Sequence, residues 1–166
     1  MPLIVGSKRE LLHSREFAGP QGFKWGFVAL EYYAVVANRV IAALVTSTNL
    51  VLVTAGGPIA APGYADSSSS MPGLYVSWRA MKRYESMSAD SDELLKARRS
   101  NRRVALSTIT AVGFEERTKW GMGTVPYSGV ILIASPLRTF ELILLGNQDG
   151  ADLEGKLIKA IVKSTA

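Results

Sequence analysis

"VIAALVTSTNLVLVT", Val40 to Thr54, decides the fold, because it reads either as the start of a membrane-spanning helix or as two strands folded about a turn. No charged residue lies between Arg39 and Asp66, and an uncharged apolar run of this kind has the hydropathy of a span. Three features favour the turn. The centre, "TSTN", is a row of four polar side chains, and its neighbours include the β-branched Val40, Ile41, Val45, Val51, Val53 and Thr54, which suit a pleated strand. "GGPIAAPG" follows at once and stops a helix. The stretch therefore predicts a hairpin, with Asn49 suited to the tight turn. A span within 28–53 that tethers the rest of the chain is the alternative. The preceding "WGFVALEYYAVVANRV" satisfies neither period cleanly and is compatible with a strand or an amphipathic helix.

Outward from this stretch, 166 residues are about the size of one domain and can bury a core without staples. With 48% hydrophobic and 20% charged residues, the chain is expected to fold. It has no cysteine, which removes disulfides, thiol nucleophiles and zinc-thiolate sites and fits a reducing compartment. The net charge of +5 and pI near 9.6 favour an anionic partner. That charge is uneven. Residues 1–26 carry a surplus of +2, residues 27–77 of −1, residues 78–103 of +4, and residues 104–166 are balanced. The N-terminal "MPLIVGSKRELLHSREF" places apolar residues before its first basic pair, the reverse of a secretory leader. No cleaved signal peptide is expected, and the location follows as cytoplasmic or peripheral to a membrane.

Ala55 to Gly73 is dense in Gly, Pro, Ala and Ser and reads as an inserted loop, long enough to lie along a partner. "LYVSW", Leu74–Trp78, alternates like a short strand. "SADSDELLKARRSN" reads as a helix, with Asp90 and Glu93 as a capping pair and Lys96, Arg98 and Arg99 in its last turn. "RRVALSTITAVGFEER", "YSGVILIAS" and "RTFELILLG" give an antiparallel meander. The closing "NQDGADLEGKLIKAIVK" is a helix opened by Asn147 or Asp149, its Leu153, Leu157 and Ile161 stripe widened by Ile158 and Val162.

Taken in order, the pair "AALVTSTNLVLVT", then "VALSTITAVGF", "GVILIAS", "TFELILLG" and a terminal helix resemble a bacterial-type pleckstrin-homology-like domain. The resemblance covers about Val40 to Lys163. It implies an α+β fold: a strongly bent antiparallel β-barrel or sandwich of about six to seven strands, capped by a C-terminal amphipathic helix, with an inserted short basic helix. It places Leu106 and Ile109 at a corner between sheets, and it implies a binding module for phosphoinositide-like headgroups or proteins, without catalysis. On this reading residues 1–26 are an N-terminal extension, partly helical. Residues 27–166 are the domain, with a loop insertion at 55–73 and a basic helix at 90–100.

Chemistry is sparse. His13, the only histidine, has Glu10 and Glu16 three residues to either side, a poor metal signature more simply read as an exposed helix. The acids of "ADSDE" lack the glycine and distal glutamate of a calcium loop, and the glycines of "GMGTVPYSG" lack dinucleotide spacing and suit a turn. No catalytic residue, metal, cofactor or small-molecule substrate is expected. The functional candidates are Lys96, Arg98, Arg99, Arg102 and Arg103, because guanidinium groups grip phosphate in bidentate fashion. Lys119 and Trp120 are a candidate membrane or partner contact. The partner is an anionic membrane surface or an acidic protein. Nucleic acid is less favoured, since stacking aromatics are absent from the basic cluster. A structural subunit of a larger assembly, held by its loop and termini, is the other reading.

Overall fold

The computed structural model describes residues 19–59 and 72–166. Seven strands form one antiparallel sheet: β1 Trp25–Tyr32, β2 Asn38–Val45, β3 Asn49–Gly56, β4 Arg102–Ala105, β5 Ala111–Glu115, β6 Tyr127–Ala134 and β7 Thr139–Leu145. Their order is β4-β3-β2-β1-β7-β6-β5, and the sheet curls into a half-barrel. Helices α1 Trp78–Lys82 and α2 Asp92–Ala97 lie between β3 and β4, and α3 Gly150–Thr165 ends the chain.

Val40 to Thr54 is a hairpin. β2 and β3 pair with Val45 opposite Leu50, and the turn closes where the Thr46 amide donates to the Asn49 carbonyl at 2.9 Å and the Asn49 amide donates to Thr46 Oγ1 at 3.0 Å. Asn49 itself opens β3, and its side-chain amide donates to Asp90 Oδ1 at 2.7 Å. The span-like hydropathy has a different cause. Phe27–Glu31, Val40–Val45 and Leu50–Ala55 are buried without alternation, as strands must be when both faces are covered. Residues 28–53 are thus three strands and their turns rather than a spanning helix. No helix among the described residues is long and apolar enough to cross a membrane.

The insertion covers the sheet differently from the sequence reading. Leu74–Trp78 is not a strand: Pro72–Tyr75 is a single 3-10 turn, and α1 starts at Trp78 because the Ser77 hydroxyl accepts from the Ala80 amide at 3.3 Å. That local cap outcompetes the weak alternation. The basic helix expected at 90–100 is six residues long and holds one basic residue, Lys96. Ser91, not Asp90, caps it, accepting from the Leu94 amide at 3.2 Å. The fully buried Tyr84 and the Asn101 side chain then lock this insertion to β3. The Tyr84 hydroxyl donates to the Thr54 carbonyl (2.9 Å), the Thr54 amide to Asn101 Oδ1 (3.0 Å), and Asn101 Nδ2 to the Leu94 carbonyl (2.8 Å). Every member of this buried network has a partner, which fixes the chain from Leu94 to Arg103.

"RRVALSTITAVGFEER" divides into β4 and β5 around a 3-10 turn at Leu106–Thr108. Leu106 and Ile109, the expected corner pair, are both buried there. The folded unit also begins before residue 27, since Phe23 is buried and the Lys24 amide donates to the Val45 carbonyl at 2.8 Å. Residues 1–18, including His13, and residues 60–71 of the loop lie outside the described residues.

Between β1 and β7 only Ala29–Leu144 and Leu30–Ile143 pair. Gln148 continues this seam: its Oε1 accepts from the Val28 amide at 3.1 Å and its Nε2 donates to the Val28 and Leu145 carbonyls. A side-chain amide here stands in for a strand. Asp149 caps α3 by accepting from the Asp152 amide at 2.9 Å. Leu153 and Leu157 are fully buried, but Ile158 and Val162 are exposed, so the covered stripe is narrower than expected.

Candidate anion-binding site

Glu31 is the centre of the site. It is the one charged residue of β1, and the register sets it opposite Arg39, where cross-strand side chains share a face. Arg39 Nε donates to its Oε2 at 2.8 Å. Arg102, arriving on β4, makes a bidentate pair with both oxygens at 2.6 and 2.7 Å. Arg138 Nη2 stands 3.7 Å from Oε1. Burial alone would raise the Glu31 pKa, but the hydrogen bonds and charges of Arg102 and Arg39 outweigh it and hold the carboxyl below its ordinary value. Aromatic rings order the same groups: Arg102 and Arg138 stand over Phe140 at 5.2 and 4.5 Å, and Arg39 over Tyr33 at 4.7 Å.

Around this pair network lies an open depression of about 570 Å³ lined by Arg39, Arg98, Arg99, Ser100, Arg102 and Arg138. Five guanidinium groups line it, and three of them, those of Arg39, Arg102 and Arg138, reach the Glu31 carboxylate. Arg98 and Arg99 leave the end of α2 and are exposed, and their side chains make no hydrogen bond or ion pair among the described residues. Arg98 also lines an adjoining depression of about 230 Å³ with Arg79, Arg83, Gly56 and Gly57, so the basic surface runs on along α1. Gly57 permits the close approach: its φ is +102°, and a Cβ there would lie 2.8 Å from Arg39 Cα.

Of the residues expected from sequence, Arg98, Arg99 and Arg102 come together here. Arg103 does not. Successive residues of a strand point to opposite faces, and Arg103 turns away to pair with Asp92 at 2.8 Å and to donate to the Asp90 carbonyl. Lys96 is exposed on α2 but does not line the depression. Sequence reasoning does not reach Glu31, Arg39 and Arg138, because the cross-strand register that sets Glu31 opposite Arg39 and the β1–β7 pairing that brings in Arg138 exist only in the folded sheet. The lone acid in an uncharged run was the available signal.

No known protein family, no curated protein and no solved structure matches this chain. Its site must be read from geometry. Among the described residues no cluster of three or more His, Cys, Asp or Glu could hold a metal.

The same end of the sheet also carries exposed apolar side chains. Tyr33, Val35 and Val36 form the β1–β2 turn just before Arg39, and Leu137, 95% exposed, forms the β6–β7 turn just before Arg138. The antiparallel β1–β7 register puts these two turns side by side. Leu74 and Trp78 join them, because the Ser77 amide donates to the Ala55 carbonyl at the end of β3. Trp120 is 66% exposed in the β5–β6 connection, which reaches this end as well: a Cβ on Gly121 would lie 2.8 Å from the Tyr32 hydroxyl. Lys119 is not free there, its ammonium pairing with Glu141. Seven of the nine exposed large hydrophobic residues among those described therefore stand at the arginine end, and the other two on α3.

Proposed function

We propose that the chain is a non-enzymatic binding module that attaches to an anionic membrane surface through this end of the sheet. Arg98 and Arg99 meet lipid phosphates, with Arg39, Arg102 and Arg138 held behind them by Glu31. The apolar residues of the two turns, with Trp120, enter the headgroup region. The observation that carries this reading is the sharing of one end by Arg98 and Arg99, whose side chains are unpaired among the described residues, and protruding apolar side chains. Neither signal alone holds a protein on a bilayer, whereas the two together do. An acidic protein partner would use the arginines but would have to accommodate each protruding turn residue, which a fluid interface does without shape matching. The pleckstrin-homology-like reading belongs to this proposal, and the strand order with its closing C-terminal helix supports it.

Arg98→Glu/Arg99→Glu tests it, since both side chains are exposed and make no hydrogen bond or ion pair among the described residues. Partition onto phosphatidylcholine vesicles containing phosphatidylserine is expected to fall by more than about tenfold, at roughly 1 kcal/mol per charge near the surface. Equal partition of the variant and the parent, or equal binding of the parent to pure phosphatidylcholine, contradicts the proposal.

A further inference from the structure

At the far end of the sheet lies a second basic feature of another design. β2 runs from Arg39 at the arginine end to Val45, a distance of about 20 Å along the strand. There a groove of about 730 Å³ opens between the start of β1 and the C-terminal half of α3. Its floor is apolar, from Trp25, Val45 and Ala160, and its rim carries Lys24, Lys156, Lys159 and Lys163. Lys156 pairs with Asp152 at 3.0 Å. Lys24, Lys159 and Lys163 are exposed and make no ion pair among the described residues.

We propose that this groove docks an acidic segment of a partner protein, one whose carboxylates are interspersed with apolar side chains. The inference does not rest on the membrane reading. Charge complementarity selects the occupant. The three lysines of α3, at spacings of three and four, lie on one helix face and extend over about 10 Å of its length, with Lys24 on the facing wall. Such a rail suits charges distributed along a chain, whereas a single-headed amphiphile needs charge at one end and an enclosed tail pocket. The groove has no protruding large apolar residue to enter a bilayer: Trp25 is half-buried, and the exposed Ile158 and Val162 lie on another face of α3. A second copy of this chain would bring like charge to like. An acidic peptide neutralises the rim while its apolar side chains cover Trp25, Val45 and Ala160.

The probe is a fluorescently labelled synthetic peptide of Glu-Glu-Leu repeats, titrated with the full chain, beside labelled polyglutamate of equal length. Saturable binding of the leucine-containing peptide is expected, with polyglutamate weaker. Lys159→Glu/Lys163→Glu, which alters two exposed side chains, should weaken the peptide by about tenfold or more through repulsion at the rim. Arg98→Glu/Arg99→Glu should leave it unchanged. Polyglutamate binding as well as the leucine-containing peptide, absence of saturation, or indifference to the lysine reversals would overturn the proposal. The arginine variant separates the two readings: loss of vesicle binding with retained peptide binding belongs to the arginine end alone.

Discussion

The two ends of the sheet carry positive charge in opposite ways. At the arginine end the charges are built in: Glu31, 4% exposed, gathers Arg39, Arg102 and Arg138, and the Tyr84–Thr54–Asn101 network fixes the chain that presents Arg98 and Arg99. In the α3 groove Lys156, Lys159 and Lys163 hang from one helix face, and Lys24 from the facing wall, over an apolar floor. Planar guanidinium groups fixed by a carboxylate and by ring faces are suited to phosphate oxygens in set directions, while flexible ammonium groups follow a chain of carboxylates. The difference teaches that net charge says little until its mechanical support is known. The first site should fail with its scaffold, the second only with its own side chains.

The strongest way to break that contrast is Asn101→Ala. It strands the Thr54 amide and the Leu94 carbonyl in the interior, which should cost about 3 kcal/mol by denaturant unfolding, and it should weaken vesicle binding while sparing the groove peptide. Loss of both, in a chain that is still folded at the assay temperature, would erase the distinction. Next is Glu31→Gln, which is expected to lower stability by about 2 kcal/mol at neutral pH, because charge-assisted bonds to Arg102 and Arg39 are replaced by neutral ones. The Glu31 pKa is lowered on folding, so its contribution is full above the unfolded value near 4.5 and fades as pH falls through the lower folded value. The gap between parent and variant should therefore shrink below about pH 4.5 in acid unfolding. A gap that grows there contradicts the account. The smallest effect is that of Val35→Ser/Val36→Ser. Both residues are exposed, at 85% and 52%, so stability should hold, while vesicle partition falls by about fivefold, or about 1 kcal/mol of apolar insertion. No change would leave the arginines as the whole of the interaction.

The parts of this fold visible in sequence are those that local chemistry decides. The turn at Thr46–Thr48 shows because polar residues interrupt two β-branched runs. The strands "YSGVILIAS" and "RTFELILLG" and the helix after Asp149 show through periodicity and a cap. Leu74–Trp78 misleads, since a single Ser77 hydroxyl decides for a helix. The site is half legible for a similar reason. Arg98 and Arg99 stand in a visible basic run, but separating Arg102 from Arg103 needs the strand's twofold alternation. Arg138 lies 107 positions beyond Glu31 in the chain and meets it only because β7 pairs with β1. Gln148 gave no signal, because a side chain replacing a strand depends on a gap that exists only in the folded sheet.

The most direct test of the central claim uses the absence of cysteine. A nitroxide placed through Val35→Cys, and separately through Ile158→Cys, reports depth on phosphatidylserine-containing vesicles by its accessibility to oxygen and to a water-soluble nickel complex. The label at position 35 is expected to move from water into the headgroup region when vesicles are added, while the label at 158, on α3, stays in water. A bound protein whose label at 35 remains aqueous, or whose label at 158 is the one immersed, contradicts attachment through the arginine end.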